Sequence, residues 1–220
     1  MSAILKNLPN IITILRMVLS PIFIILFGKA GFDGDLSLMF ISYLLLLFMS
    51  FTDALDGYLA RKYELVSDFG KIFDPLSDKI LIFFSFGLIC YECAITIAVL
   101  PLTWGSDTEF KILLIIIYCL LILISVLRDV IITILRFLAK KQGLLMAADK
   151  YGKLKTIFQF IVIHSFFLGN IFMSLSNASE FNYDLLIIFL YLISFFSIII
   201  SFYYSMISAF NYLKQYRNKK

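Results

Sequence analysis

Long apolar runs recur along this chain and limit its possible folds more than any other feature. Six stretches are rich in Ile, Leu and Phe, at about 11–28, 36–60, 70–91, 110–138, 153–175 and 184–212. About 20 such residues are enough for a helix to cross a bilayer. Only 15% of the 220 residues are charged, against about a quarter in soluble domains. We therefore predict an all-α integral membrane protein, a bundle of about six transmembrane helices.

Short connectors join the predicted spans and leave no room for a soluble domain. Residues 1–220 are therefore predicted to form a single membrane domain. Six spans place both termini and two connectors on one side, and that side carries 17 of the 19 Lys and Arg residues. The other side has only Lys29 and Lys111. Because Lys and Arg concentrate in cytoplasmic loops, both termini are expected to be cytoplasmic.

A cluster of aspartates lies at the predicted cytoplasmic ends of spans two and three, within the stretch FTDALDGYLARKYELVSDFGKIFDPLSDKI, residues 51–80. Asp53 and Asp56 are three residues apart, and Asp74 and Asp78 are four apart. Each pair therefore shares one face of its predicted helix. The short connector makes the two helices antiparallel neighbours. Four carboxylates are thus expected to converge between these helices.

Four bare carboxylates at this place would repel one another. Two like charges 4 Å apart repel by about 4 kcal/mol at an effective dielectric constant of 20. Partial protonation would relieve the repulsion, and so would divalent cations. Oxygen-only ligands suit Mg²⁺ or Mn²⁺, and four carboxylates are enough for two ions. Two-ion sites of this kind stabilise the attacking and leaving oxygens in phosphoryl transfer.

Small residues and an arginine accompany the aspartates. Gly57 follows Asp56 directly, Ala60 lies one turn further on, and Gly70 opens the third predicted helix. A glycine inside a helix costs about 1 kcal/mol relative to alanine, and it usually marks the close approach of another helix or a ligand. Arg61 adds a planar donor suited to phosphate. These neighbours favour a phosphate-binding pocket over charges that merely cap two helices.

Together these residues read D-x2-D-G-x2-A-R-x8-G-x3-D-x3-D. This pattern resembles that of the CDP-alcohol phosphatidyltransferases at every specified position, and a chance match is on the order of 10⁻¹⁰ per start site. The resemblance implies six membrane helices, a site at the cytoplasmic face and, commonly, a homodimer. It also implies transfer of a phosphatidyl group from CDP-diacylglycerol to a second alcohol, with release of CMP.

The resemblance further implies roles for individual residues. Asp78 is expected to be the general base and also a ligand of the second metal ion. The other metal ligands are expected to be Asp53, Asp56 and Asp74, and the CDP-lipid pocket is expected to include Gly57, Ala60, Arg61 and Gly70. Thr13 and Arg16 on the first span are candidate contacts for the donor lipid.

Four segments, NLPNIITILR, DFGKIFDPLSDK, RDVIITILR and GKLKTIFQ, resemble members of the family that use glycerol 3-phosphate as the acceptor. A phosphorylated acceptor needs a cationic pocket. Arg128 and Arg136 are eight residues apart on the fourth predicted helix, and Lys153 and Lys155 open the fifth. These four residues are the candidate ligands of the acceptor phosphate.

Other interpretations are open for the cationic residues and for the aspartates. Arg128 can pair with neighbouring Asp129, and the lysines can reflect membrane topology. The Arg-Asp pair also resembles family members that use phosphatidylglycerol and produce cardiolipin. A cation transporter is a more distant alternative, because carboxylates inside membranes also mark ion pathways. We predict a phospholipid-synthesising enzyme that uses glycerol 3-phosphate, in a bacterial inner membrane with its active site on the cytoplasmic face.

Overall fold

A computed structural model describes residues 3–62, 68–99, 108–141 and 149–219, with side chains at 10–52, 76–77, 79–98, 108–139, 149–215 and 217. Over these residues the chain is all-helical, which confirms the predicted fold class. The helices are α1 Ala3–Asp33, α2 Leu36–Lys62, α3 Asp68–Val99, α4 Thr108–Lys141, α5 Lys150–Ala178 and α6 Asp184–Lys219. Each of the six predicted spans falls within one of them.

The surface of α4 shows why these helices belong in lipid. Leu113, Leu120, Leu127 and Ile134 recur every seven residues and are 49–53% exposed. Soluble proteins rarely expose a continuous apolar face of this kind. Within the described residues five helices are long and apolar enough to cross a membrane, and the described apolar part of α2, Leu36–Thr52, is shorter. The chain is an integral membrane protein.

A tight corner joins α1 to α2. Helix α1 continues through Asp33, so the corner is shorter than the connector expected from the sequence. Gly34 has a φ of 69°, a left-handed conformation that favours glycine. The amide of Asp35 donates to the carbonyl of Ala30 at 3.0 Å, and the Asp35 carboxylate accepts from the amide of Leu38 at 3.0 Å. Gly34 and Asp35 thus end α1, and the Asp35 carboxylate caps the start of α2.

The chain forms two compact units, and the first comprises Met1–Leu88 and Phe167–Asp184. Its core holds a cluster of fully buried rings. The ring centre of Phe167 lies 5.2 Å from that of Phe23 and 4.7 Å from that of Phe27. Burial of such rings and their edge-to-face contacts holds α1 against the end of α5.

The second unit comprises Ile89–Phe166 and Leu185–Lys220, and a buried row of serines on α6 organises it. The serines of this row are Ser194, Ser197, Ser201, Ser205 and Ser208. Ser194 Oγ donates to the carbonyl of Val162 at 3.1 Å, and Ser201 Oγ donates to that of Lys155 at 3.2 Å. A Cβ added at Gly152 would meet Ser208 Oγ at 3.4 Å. Small residues therefore bring α5 and α6 close together and set their register.

Candidate active site

The aspartates of the sequence pattern lie on α2 and α3. The backbone is helical throughout Leu36–Lys62 and Asp68–Val99. Residues three or four apart therefore occupy one side of each helix, as the spacing predicted. For the residues of the pattern the structure describes the backbone only. These residues are Asp53, Asp56, Gly57, Ala60, Arg61, Gly70, Asp74 and Asp78. Their roles remain predictions.

Helix α1 contacts α3 directly beside this pattern. Ser77, which precedes Asp78, is buried, and its Oγ donates to the carbonyl of Thr13 at 3.5 Å. Thr13 is fully buried, and Arg16 is 1% exposed. Because three residues make almost one helical turn, Arg16 lies on the same side of α1 as this contact. Arginine is rare inside membrane spans and often has a functional role there, and the predicted contact of Arg16 with the donor lipid remains a prediction.

A cluster of polar residues around Asp129 lies inside the second unit. Arg128 Nη1 donates to Asp129 Oδ1 at 3.0 Å, and the ammonium group of Lys155 pairs with the same oxygen. Gln159 Nε2 donates to Asp129 Oδ2 at 3.1 Å. We call these four residues the Asp129 cluster. The alternative that Arg128 pairs with Asp129 is confirmed, but this carboxylate is shared with a second cation.

Two poorly exposed cations of the Asp129 cluster pair with the same carboxylate. The side chains of Arg128 and Lys155 are 9% and 12% exposed, and both contact Asp129 Oδ1. Nε and Nη2 of Arg128 are buried and have no hydrogen-bond partner among the described residues. A buried cation with free donors is costly unless an anion completes it. The cluster is therefore suited to bind an anionic group.

A second polar cluster surrounds Tyr212 near the end of α6. Arg136 Nη2 donates to the Tyr212 hydroxyl at 2.6 Å, and its guanidinium carbon lies 4.4 Å from the centre of the same ring. The amide of Asp149 donates to this hydroxyl at 3.2 Å, and Asn211 Nδ2 donates to Asp149 Oδ2 at 3.1 Å. Tyr212 therefore ties α4 and α6 to the start of α5.

The structure gives different surroundings to the four residues predicted to bind the acceptor phosphate, and their roles remain predictions. Arg128 and Lys155 meet in the Asp129 cluster, whereas Arg136 belongs to the Tyr212 cluster. Lys153 is exposed on α5 and has no hydrogen-bond or ion-pair partner among the described residues. Gln159 was not among the predicted residues, although a polar residue one turn after Lys155 in an apolar run was a usable signal. Tyr212 had no such signal.

Replacing Tyr212 with phenylalanine should loosen the end of the second unit. The Tyr212→Phe change keeps the ring under Arg136 but leaves the Asp149 amide and Arg136 without this acceptor. We expect the free energy of unfolding to fall by about 1 kcal/mol and the melting midpoint by about 2–4 °C. Thermal unfolding in detergent measures this, with Tyr203→Phe on the exposed side of α6 as control. Equal midpoints for both variants would contradict it.

The helices and polar clusters define an integral membrane protein with charged groups inside apolar helices. The family model described as CDP-alcohol phosphatidyltransferase matches residues 6–202. The chain belongs to the CDP-alcohol phosphatidyltransferase family. This confirms the predicted enzyme class, and it favours a transferase over the cation-transport alternative.

Curated relatives carry a more specific name. The CDP-diacylglycerol–glycerol-3-phosphate 3-phosphatidyltransferase of Rickettsia typhi is 32% identical over 166 residues, which cover 76% of this chain and 79% of that protein. The protein of the same name from Bacillus subtilis is 33% identical over 177 residues, which cover 75% of this chain and 78% of that protein. The matched regions therefore make up most of both relatives.

Proposed function

We propose that this enzyme transfers a phosphatidyl group from CDP-diacylglycerol to glycerol 3-phosphate, releasing CMP and forming phosphatidylglycerophosphate for phospholipid synthesis. The names of the similar proteins support this donor and this acceptor. The observation that carries the proposal is the Asp129 cluster, where two cations share one carboxylate and two buried donors of Arg128 have no partner among the described residues.

The Asp129 cluster fits a phosphate monoester. Nε and Nη2 of a guanidinium form a fork that can donate two parallel hydrogen bonds to one phosphate. Lys155 adds a second positive charge close by. A monoester carries up to two negative charges, whereas the phosphodiester of phosphatidylglycerol carries one. The presence of two cations in the cluster therefore favours glycerol 3-phosphate over phosphatidylglycerol.

The residues of the aspartate pattern suit divalent metal ions. The backbone holds all four on helical segments of α2 and α3. Carboxylate oxygens are the ligands that Mg²⁺ and Mn²⁺ prefer. Asp53, Asp56, Asp74 and Asp78 would hold two such ions. When bound, these ions supply Lewis-acid neutralisation of charge on the transferred phosphate.

The chain's own residues would position and activate the two substrates. Asp78 accepts the proton from the primary hydroxyl of glycerol 3-phosphate. That oxygen forms a bond to the phosphorus of the phosphatidyl group, and the bond from this phosphorus to the CMP oxygen breaks. Arg61 binds the pyrophosphate of the donor, while Gly57, Ala60 and Gly70 leave space for the nucleotide. Positioning of this kind provides much of the rate of phosphoryl transfer.

The cellular setting is part of the same proposal. The Lys and Arg bias places both termini and the aspartate pattern on the cytoplasmic face of a bacterial inner membrane. Glycerol 3-phosphate is a soluble anion, so an acceptor site on that face is reached from water. The proposal also includes a single domain of residues 1–220, expected from the short connectors, and a homodimer, expected from the family resemblance.

Release of CMP tests the proposed activity. Purified protein in detergent receives CDP-diacylglycerol with Mg²⁺ or Mn²⁺, and either glycerol 3-phosphate or phosphatidylglycerol. We expect release with glycerol 3-phosphate alone, and we expect EDTA to reduce it by at least about 100-fold because the carboxylates need their cations. Release only with phosphatidylglycerol would assign cardiolipin synthesis instead. No release with either acceptor would contradict the proposed activity.

A further inference from the structure

The amide of Gln159 contains a buried oxygen that no described residue satisfies. Gln159 lies on α5 and is 1% exposed, and its Nε2 donates to Asp129 Oδ2 at 3.1 Å. An ionised carboxylate only accepts hydrogen bonds, so the amide must turn its nitrogen toward Asp129. Its Oε1 therefore points to the other side of the amide. This atom is buried and has no hydrogen-bond donor among the described residues.

An unsatisfied carbonyl oxygen at this position calls for a donor. Leaving a buried acceptor unpaired costs about 1–3 kcal/mol, and buried polar groups are nearly always hydrogen-bonded. Turning the amide over would not help, because its oxygen would then face the Asp129 carboxylate. Loss of the amide would leave Asp129 one donor short. The site therefore keeps an acceptor in place for a donor that the described residues around it do not provide.

The group that donates to Gln159 Oε1 should belong to a ligand that also carries an anionic group. Gln159 and Arg128 are each one hydrogen bond from the same carboxylate, on different oxygens. Within the described part of the chain, two donors of Arg128 and one acceptor of Gln159 have no hydrogen-bond partner. A ligand that completes both must combine an anionic group with a hydroxyl group a few bonds away. A phosphorylated polyol has this combination, whereas an unsubstituted alkyl phosphate has only the anionic group.

We propose that Gln159 determines acceptor specificity by accepting a hydrogen bond from the secondary hydroxyl of glycerol 3-phosphate. The inference rests on the proposed function, since it assigns a further contact within the acceptor site. The phosphate binds the Arg128 fork, the secondary hydroxyl binds Gln159 Oε1, and the primary hydroxyl stays free to react. A site that hydrogen-bonds a substrate hydroxyl rejects the analogue without it, because its own polar group is then left unpaired.

The test compares two ligands that differ in one group. 3-Hydroxypropyl phosphate keeps the phosphate and the primary hydroxyl of glycerol 3-phosphate but lacks the secondary hydroxyl. Equilibrium binding of radiolabelled glycerol 3-phosphate to the full chain in detergent is measured, with each compound as competitor. We expect the unmodified protein to bind the deoxy analogue about 10- to 100-fold more weakly.

Substitution of Gln159 should remove this preference. Gln159→Met keeps the length of the side chain and loses the acceptor, so the two competitors should bind within about threefold of each other. Gln159→Asn keeps an amide but withdraws its oxygen by one carbon–carbon bond, and it should lose most of the preference too. Gln215→Met, the same change near the end of α6, is the matched control and should keep the preference of the unmodified protein.

The outcomes separate this inference from the proposed function. Equal binding of both compounds to the unmodified protein, or an unchanged preference in both Gln159 variants, overturns the role of Gln159. No binding of glycerol 3-phosphate at all overturns both the role and the proposed acceptor. A preference that depends on Gln159 but comes without any CMP release supports the contact and overturns only the proposed reaction.

Discussion

Asp56→Asn and Asp78→Asn should each lower phosphatidyl transfer by about 10³-fold or more while the protein stays folded. Asp78 is the proposed general base, and loss of such a base typically costs 10²–10⁴-fold. Asp56 is a proposed metal ligand, and without it the charge on the transferred phosphate is poorly neutralised. Asparagine has nearly the shape of aspartate and removes one like charge from the group, so repulsion in the folded state decreases.

CMP release from purified protein in detergent measures the loss, and thermal unfolding checks the fold. Asp33→Asn is the matched control, because it removes the same charge from the exposed end of α1. It should keep activity within about twofold, as surface changes usually do. Retained transfer in both Asp56→Asn and Asp78→Asn would rule out the aspartate pattern as the catalytic centre, whatever the acceptor.

Arg128→Lys should raise the KM for glycerol 3-phosphate by about 10- to 100-fold and leave the KM for CDP-diacylglycerol nearly unchanged. The lysine keeps the charge and a donor for Asp129. It lacks the planar fork of Nε and Nη2, the two buried donors that no described residue pairs. Loss of a hydrogen bond to a charged group accounts for an effect of this size.

Steady-state kinetics with each substrate varied in turn measures the two KM values. Arg217→Lys, the same change at the exposed end of α6, is the control and should alter neither. The opposite result is equally informative. If Arg128 serves only to pair with Asp129, then Arg128→Lys will retain that pair and leave the KM for glycerol 3-phosphate unchanged.

The two arginines of α4 show where the sequence stops being informative. They lie eight residues apart, about 12 Å along the helix axis, and their spacing suggested one shared pocket. In the structure Arg128 contacts Asp129, while Arg136 contacts Tyr212. Helical spacing specifies the side of α4 on which a residue lies. It does not specify which residue of α5 or α6 faces that residue.

The aspartate pattern could be identified from the sequence because it depends on local spacing rather than on contacts between distant residues. Its residues lie close together in the sequence, on two helices joined by a short connector, so local spacing alone predicts that they converge. A hydrogen bond of the Asp129 cluster joins residues 30 positions apart, and one of the Tyr212 cluster joins residues 76 apart. Such contacts depend on how α6 packs on α5, and the buried serines and Gly152 set that packing.

By itself the sequence determined the membrane class, the helical fold and the family, because these depend on apolar run length and local spacing. It also placed the aspartates on two successive helices, α2 and α3. Only the tertiary structure decided that Arg128 and Lys155 share one carboxylate, that Gln159 donates to it and that Arg136 contacts Tyr212. These partners lie on separate helices, and their contacts follow from side-chain packing between helices, which no local pattern encodes.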